Sequence, residues 1–113
     1  MKITAKTKDI VVTPSMCEGD DTFSIVFRYP TQVDLLKLAS IADNGEAITF
    51  VNGLFKEFVN KPTLEDEDGK EIDYTSFADL MGYGGEQLTS ILADVLQEFQ
   101  KLGDDAGRLE KKS

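Results

Sequence analysis

The sequence predicts an α+β domain: a small N-terminal antiparallel β-hairpin packed on three to four helices, with a predominantly helical C-terminal part. Three observations carry this expectation. Thr22 to Tyr29 (TFSIVFRY) alternates, with Phe23, Ile25, Phe27 and Tyr29 on one face and Thr22, Ser24, Val26 and Arg28 on the other. Glu86 to Leu102 (EQLTSILADVLQEFQKL) repeats Leu88, Leu92, Val95, Phe99 and Leu102 at steps of four, three, four and three. Ile91 and Leu96 widen that seam into the stripe of a buried amphipathic helix. Between the two segments lie helical patterns punctuated by Pro30, Asn44-Gly45 and Pro62.

In chain order, Asp9 to Thr13 is short, β-branched and closed by Pro14, which predicts a strand. Ser15 to Asp21 is a turn-rich loop, so the first strand and Thr22–Tyr29 form an antiparallel pair. Such a pair is marginal alone and needs a helix against its aromatic face. Thr31 can N-cap a helix, with Asp34 completing a capping box. That helix is expected to reach about Asp43, burying Leu35, Leu38, Ala39 and Ala42, with Asn44 and Gly45 stopping it. A second helix is expected from Glu46 to about Lys61. Its apolar residues Ile48, Phe50, Val51, Leu54, Phe55, Phe58 and Val59 cover about half the circumference at 3.6 residues per turn, the breadth of a central helix.

After Pro62, Thr63 to Tyr74 reads as a polar connection turning at Asp68-Gly69, where Leu64 and Ile72 can pair as a short hairpin. Thr75 to Met81 predicts a brief helix with Phe77, Leu80 and Met81 inward. The last helix follows Gly84 and Gly85, and Gly103 is expected to stop it. Residues 1–103 thus make one globular domain and 104–113 a flexible charged tail.

The chain has 113 residues, enough for a core without staples. Hydrophobic content is 41% and charged content 29%, values ordinary for a soluble domain. Twelve Lys plus Arg against 21 Asp plus Glu give a net charge of −9, which disfavours nucleic-acid backbones and anionic membranes. The same charge serves solubility, mimicry of a nucleic acid, or binding to a basic protein. Cys17 is the sole cysteine, which excludes an internal disulfide and fits a reducing compartment. The N-terminal MKITAKTKDIVV lacks the apolar core of a signal peptide, and no apolar run approaches the roughly 20 residues of a membrane span. Location in the cytoplasm is the simplest expectation.

The residues state no chemistry plainly. With no histidine, most hydrolytic triads and His-containing zinc sites are excluded. Cys17 stands between Met16 and Glu18, without a basic neighbour to form a thiolate. In the acidic run Glu65 to Asp68, aligning Gly69 with the EF-hand glycine puts Leu64 and Thr75 at ligand positions that require acids. Gly82, Gly84 and Gly85 match neither GxGxxG nor GxxxxGK[ST], and Glu86 would oppose a phosphate. Asp94 and Glu98 lie on the polar face of the last helix, with Lys101 in reach of Glu98 as a surface ion pair. No catalytic residue, cofactor site or metal site is therefore expected. The heptad-like spacing of the last helix leaves two readings, packing within the domain or against a partner helix or second subunit.

Taken together, the order of elements resembles the tail assembly chaperones of long-tailed bacteriophages. The likeness is carried by TFSIVFRYPT running into a helix with Leu35-Leu36-Lys37-Leu38, a helix of the LFKEFV type (Leu54 to Val59), the acidic turn EDEDGKEIDY, and a closing helix with ILADVL (Ile91 to Leu96). It covers roughly Thr22 to Leu102. It implies a non-enzymatic role: binding the long helical tape-measure protein and keeping it soluble while tail-tube protein polymerises around it. Exposed apolar stripes on such a partner would aggregate unless a soluble, charged carrier masked them. Many members of that family also have a longer frameshifted form, with which Lys111-Lys112 is compatible. On this reading the partner-binding candidates are whatever the fold leaves exposed of Leu88, Leu92, Val95, Phe99 and Leu102, and secondarily the edge Phe50, Leu54 and Phe58. Self-association is a further expectation. The alternative is a small acidic inhibitor that covers a basic nucleic-acid-binding surface by charge mimicry, with binding that collapses in salt.

Overall fold

The computed structural model describes residues 1–112, with side chains described through Asp104. The chain runs β1 (Ile10–Val12), β2 (Ser24–Phe27), α1 (Gln32–Ser40), α2 (Asn44–Asn52), β3 (Phe55–Val59), β4 (Leu64–Glu65), β5 (Glu71–Ile72), α3 (Phe77–Leu80) and α4 (Glu86–Lys112). Among the described residues these strands form two sheets, one of order β1-β2-β3 and one of β4-β5, all pairings antiparallel. The α+β class and the N-terminal hairpin are as the sequence predicts.

Strand β2 sits in the middle of its sheet. Ile25 and Phe27 are fully buried and Phe23 nearly so, so the face expected to be buried is buried. Val26, on the opposite face, is also covered. Lys56 Nζ reaches across from β3 to Asp9 Oδ2, beside β1, at 2.8 Å, spanning β2 on the way. The methylenes of that lysine are suited to shield Val26 while the charged ends stay wet.

The third strand is the main departure from expectation. Glu46–Lys61 is not one helix. Helix α2 ends at Asn52, Gly53 caps it, and the chain re-enters the sheet as β3. The LFKEFV segment (Leu54 to Val59) that contributes to the family resemblance is therefore extended, not helical. The helical reading draws on the whole apolar set from Ile48 to Val59, within which Phe55 and Phe58 stand three apart and would share a side of a helix. In the structure a register shift does this instead. Phe58 pairs with Ile25 and Glu57 with Val26, but Phe55 pairs with Phe27, which leaves Lys56 as the extra residue of a bulge. Both rings therefore pack on the core side, with centroids 4.9 Å apart. Helix α2 is short, and α4 takes the central place.

Two more helix boundaries move. Helix α1 carries the expected capping box: Asp34 N–H donates to Thr31 Oγ1 at 3.2 Å, and Thr31 N–H donates to Asp34 Oδ2 at 3.0 Å. It ends at Ser40 rather than near Asp43, and Asn44-Gly45 begin α2 instead of stopping α1. Asp43 is the reason, since its Oδ1 accepts the N–H groups of Gly45 and Glu46 as an N-cap. Leu38 is buried, Leu35 and Ala39 are half-buried, and Ala42, expected inside, is exposed.

Gly103 does not end the last helix, which runs on to Lys112. A Cβ at Gly103 would stand 3.2 Å from Leu38 Cγ, so this glycine lets α1 lie close against α4, the most extensive helix–helix packing in the domain. The expected flexible tail, 104–113, has helical backbone to Lys112. Its side chains from residue 105, and any mobility there, lie outside the described residues.

The acidic hairpin matches expectation, with Leu64 opposite Ile72 and Gly69 at φ +79° in the turn. Asp66 Oδ1 holds that turn, accepting the N–H groups of Asp68 and Lys70 at 2.9 Å each. Tyr74 ties the hairpin to the sheet: its hydroxyl donates to Pro62 O, and its ring meets Phe58 edge-on at 5.4 Å. Ser76 caps α3, which buries Phe77 and Leu80.

Replacing Gly103 with Leu should force α1 from α4 and destabilise the domain by about 1–3 kcal/mol in urea denaturation, the usual cost of overpacking. Acid should act through Asp34 and Asp79. Asp34 is held below its ordinary 3.8 chiefly by the Thr31 N–H, then by the Thr31 hydroxyl and Arg28. Asp79 is held below 3.8 by the N–H and hydroxyl of Thr75. A depressed carboxylate stabilises the fold fully above its unfolded value and loses that contribution as pH falls through the folded one. Thermal stability should hold down to about pH 5 and fall below about pH 4. The Asp34→Asn/Asp79→Asn double variant should be less stable at pH 7 and show a shallower acid-side fall.

Candidate functional site

The chemistry-bearing residues do not converge. Among the described residues no group of three or more His, Cys, Asp or Glu is placed to hold a metal. Cys17 is half-buried in the loop between β1 and β2. Glu98 pairs loosely with Lys101 at 3.8 Å on the exposed face of α4, as expected. Asp94 serves the fold instead. Its Oδ2 accepts the Ser15 N–H at 2.8 Å and the Ser15 hydroxyl at 3.0 Å, pinning the β1–β2 loop to α4. Among the described residues no helix is long and apolar enough to cross a membrane.

The apolar stripe of α4 is mostly committed to the domain itself. Leu88, Ile91, Val95 and Phe99 are buried with Phe27, Phe77 and Leu80 in one core, and Leu54 joins them. Of the residues expected to meet a partner, Leu88, Val95, Phe99 and Leu54 thus already have neighbours inside the fold. Leu92, Leu102, Phe50 and Phe58 are half-buried against the same core. Packing within the domain accounts for the buried part of the heptad-like spacing.

One opening lies where α4 meets α1 and α2. Here a cleft of about 200 Å³ is floored by Leu38, Val51 and Phe99 and walled by Ala39, Ile41, Ala47 and Leu96. That volume is below the roughly 300–1,000 Å³ of small-molecule pockets, so it suits one or two side chains better than a cofactor. Asp43, Asn44, Gln100 and Asp104 form its lip, and among the described lining residues there is no Lys or Arg. A larger, more open cleft of about 790 Å³ between α1, α2 and the end of β2 takes in Phe50 and Leu54, with Arg28, Lys37, Asp34, Asp43 and Glu46 around it. Its charge is mixed, and Arg28 is already engaged with Asp34 at 3.2 Å.

Small side chains make the first cleft. Ala39, Ala42 and Ala47 stand where larger residues would fill it, and Gly103 sets the helix spacing beneath. The alanines of α1 are visible in the sequence, but as part of an expected core stripe. Asp43 and Asp104 were missed because nothing in the linear pattern brings residues 61 positions apart to one lip.

Removing the Asp94 carboxylate (Asp94→Ala) should free the Ser15 loop at a cost of about 1 kcal/mol, the net worth of such hydrogen bonds. The check is amide hydrogen exchange, which should quicken at Ser15 while amides of β2 stay protected.

Comparison of the chain with protein-family models, with curated proteins and with solved structures gives no match.

Proposed function

We propose that this protein acts without catalysis as a tail assembly chaperone of a long-tailed bacteriophage, binding the tape-measure protein and holding it soluble while the tail tube assembles. The observation that carries the reading is the cleft between α1, α2 and α4, with Ile41 and Leu96 half-buried along it, on a strongly acidic body. A tape-measure helix presents apolar side chains at helical spacing, and a groove between helices is the usual receptor for such a face. Net charge of −9 would keep the loaded complex dispersed. The sequence pattern supports the reading through the β2–α1 junction, the acidic hairpin and α4. Leu54–Val59 contributes nothing, since Phe55–Val59 of it is a strand and Leu54 the turn before it. Within the expected partner-binding set, the reading now rests on Leu92, Leu102, Phe50 and Phe58, together with the cleft residues Ile41 and Leu96.

Co-expression with the tape-measure protein encoded near it tests this directly. The two chains should elute as one soluble complex in high salt, because apolar docking persists when charge is screened. An insoluble partner with nothing co-eluting would overturn the proposal. A complex seen only at low salt would instead favour the acidic inhibitor that covers a basic surface.

A further inference from the structure

We infer that the cleft between α1, α2 and α4 receives a basic amphipathic helix, an apolar seam entering the cleft with Lys or Arg flanking it. This rests on the protein-binding reading above and specifies the chemistry of the partner segment.

The argument is charge complementarity around an apolar floor. Leu38, Val51 and Phe99 form the base, and their exposure is too small for them to be the whole contact. Ile41 and Leu96 stand half-buried above them and would be covered by an incoming side chain. At this depth the cleft takes a knob from a helix rather than a whole ligand. The alanine walls allow the partner's backbone to come close.

The lip carries two carboxylates, Asp43 and Asp104. Asp104 is exposed on α4. Asp43 spends Oδ1 on capping α2, and its Oδ2 has no donor among the described residues. The C-terminal end of α1, at Ser40 and Ile41, carries the negative end of a helix dipole, which Lys37 in the last turn partly offsets. The positive end of α2 also lies here, but Asp43 as its cap and Glu46 in its first turn offset it. No described lining residue supplies a cation, so a basic partner segment would complement the lip. An acidic or neutral apolar helix would leave these carboxylates partly desolvated and unpaired, which is costly.

The test uses the full chain and two labelled synthetic helices of about 18 residues, long enough to hold helical structure alone. Both carry the same Leu/Ile seam; one has Lys and Arg beside it, the other Glu. Fluorescence anisotropy at low salt should show the basic peptide binding roughly tenfold tighter or better. The Asp43→Asn/Asp104→Asn variant should weaken the basic peptide roughly three- to tenfold, since Asn retains the cap and removes only charge. Ala47→Leu should fill the cleft and weaken both peptides. Asp104→Asn alone, at an exposed position, serves if the other variants unfold, as judged by circular dichroism. Equal binding of the two peptides, or basic-peptide binding that neither the charge nor the filling change alters, would overturn the inference. If the tape-measure protein co-elutes and Ala47→Leu does not disturb it, the chaperone reading stands and the cleft does not. If the basic peptide binds as expected and the tape-measure protein does not, the cleft stands with a different basic partner.

Discussion

Phe27 is the contact on which the rest of this fold depends. Its ring meets Phe55 of β3, Phe77 of α3 and Phe99 of α4 edge-on, at centroid distances of 6.3, 5.5 and 5.2 Å. Those partners lie up to 72 positions away in sequence, so one side chain fastens the sheet to two helices. Edge-to-face pairs add about 0.5–1.5 kcal/mol each beyond the area they bury. The larger effect is geometric. The three rings around Phe27 tie β3, α3 and α4 to the middle strand, and the remaining core side chains pack around them.

The bulge at Lys56 follows from the same constraint. Strand β3 must deliver both Phe55 and Phe58 to the aromatic cluster, and a regular strand would send residues three apart to opposite faces. One inserted residue corrects the parity. It also releases Lys56 to bridge to Asp9, which pulls its ammonium further toward the protonated form. The cost is a break in the β2–β3 ladder at the edge of the sheet, where such breaks are tolerated and discourage further pairing.

Packing of α1 on α4 then decides where the surface stays open. Leu38 and Gly103 bring these helices together, and the start of α2 faces them across the cleft. The cleft exists because alanines occupy its walls, and it is acidic because the N-cap of α2 and a carboxylate of α4 meet at its lip. A structural need, the capping of α2, therefore supplies part of the charge that the proposed function uses. The apolar stripe of α4, which the sequence presents as the natural docking face, is for the most part unavailable because Phe27 and its neighbours already occupy it.

The sequence alone determined what depends on local pattern. The alternation of TFSIVFRY, the Thr31–Asp34 box, the Asp68-Gly69 hairpin, the short helix at Phe77 and the amphipathic character of α4 each express a preference satisfied within a few residues. Tertiary structure decided the rest. FKEFV has helical spacing and could be placed in a strand only by its pairing with β2, far back along the chain. Gly103 looks like a helix stop, and only the approach of Leu38 shows that it is a contact point within a continuing helix. Asn44-Gly45 reads as a helix stop, and only Asp43, seen capping the helix that follows, shows it to be a beginning. The cleft was illegible for the same reason: its floor, walls and acidic lip come from three helices, and a linear pattern records which faces are apolar but not which of them will find a partner inside the fold.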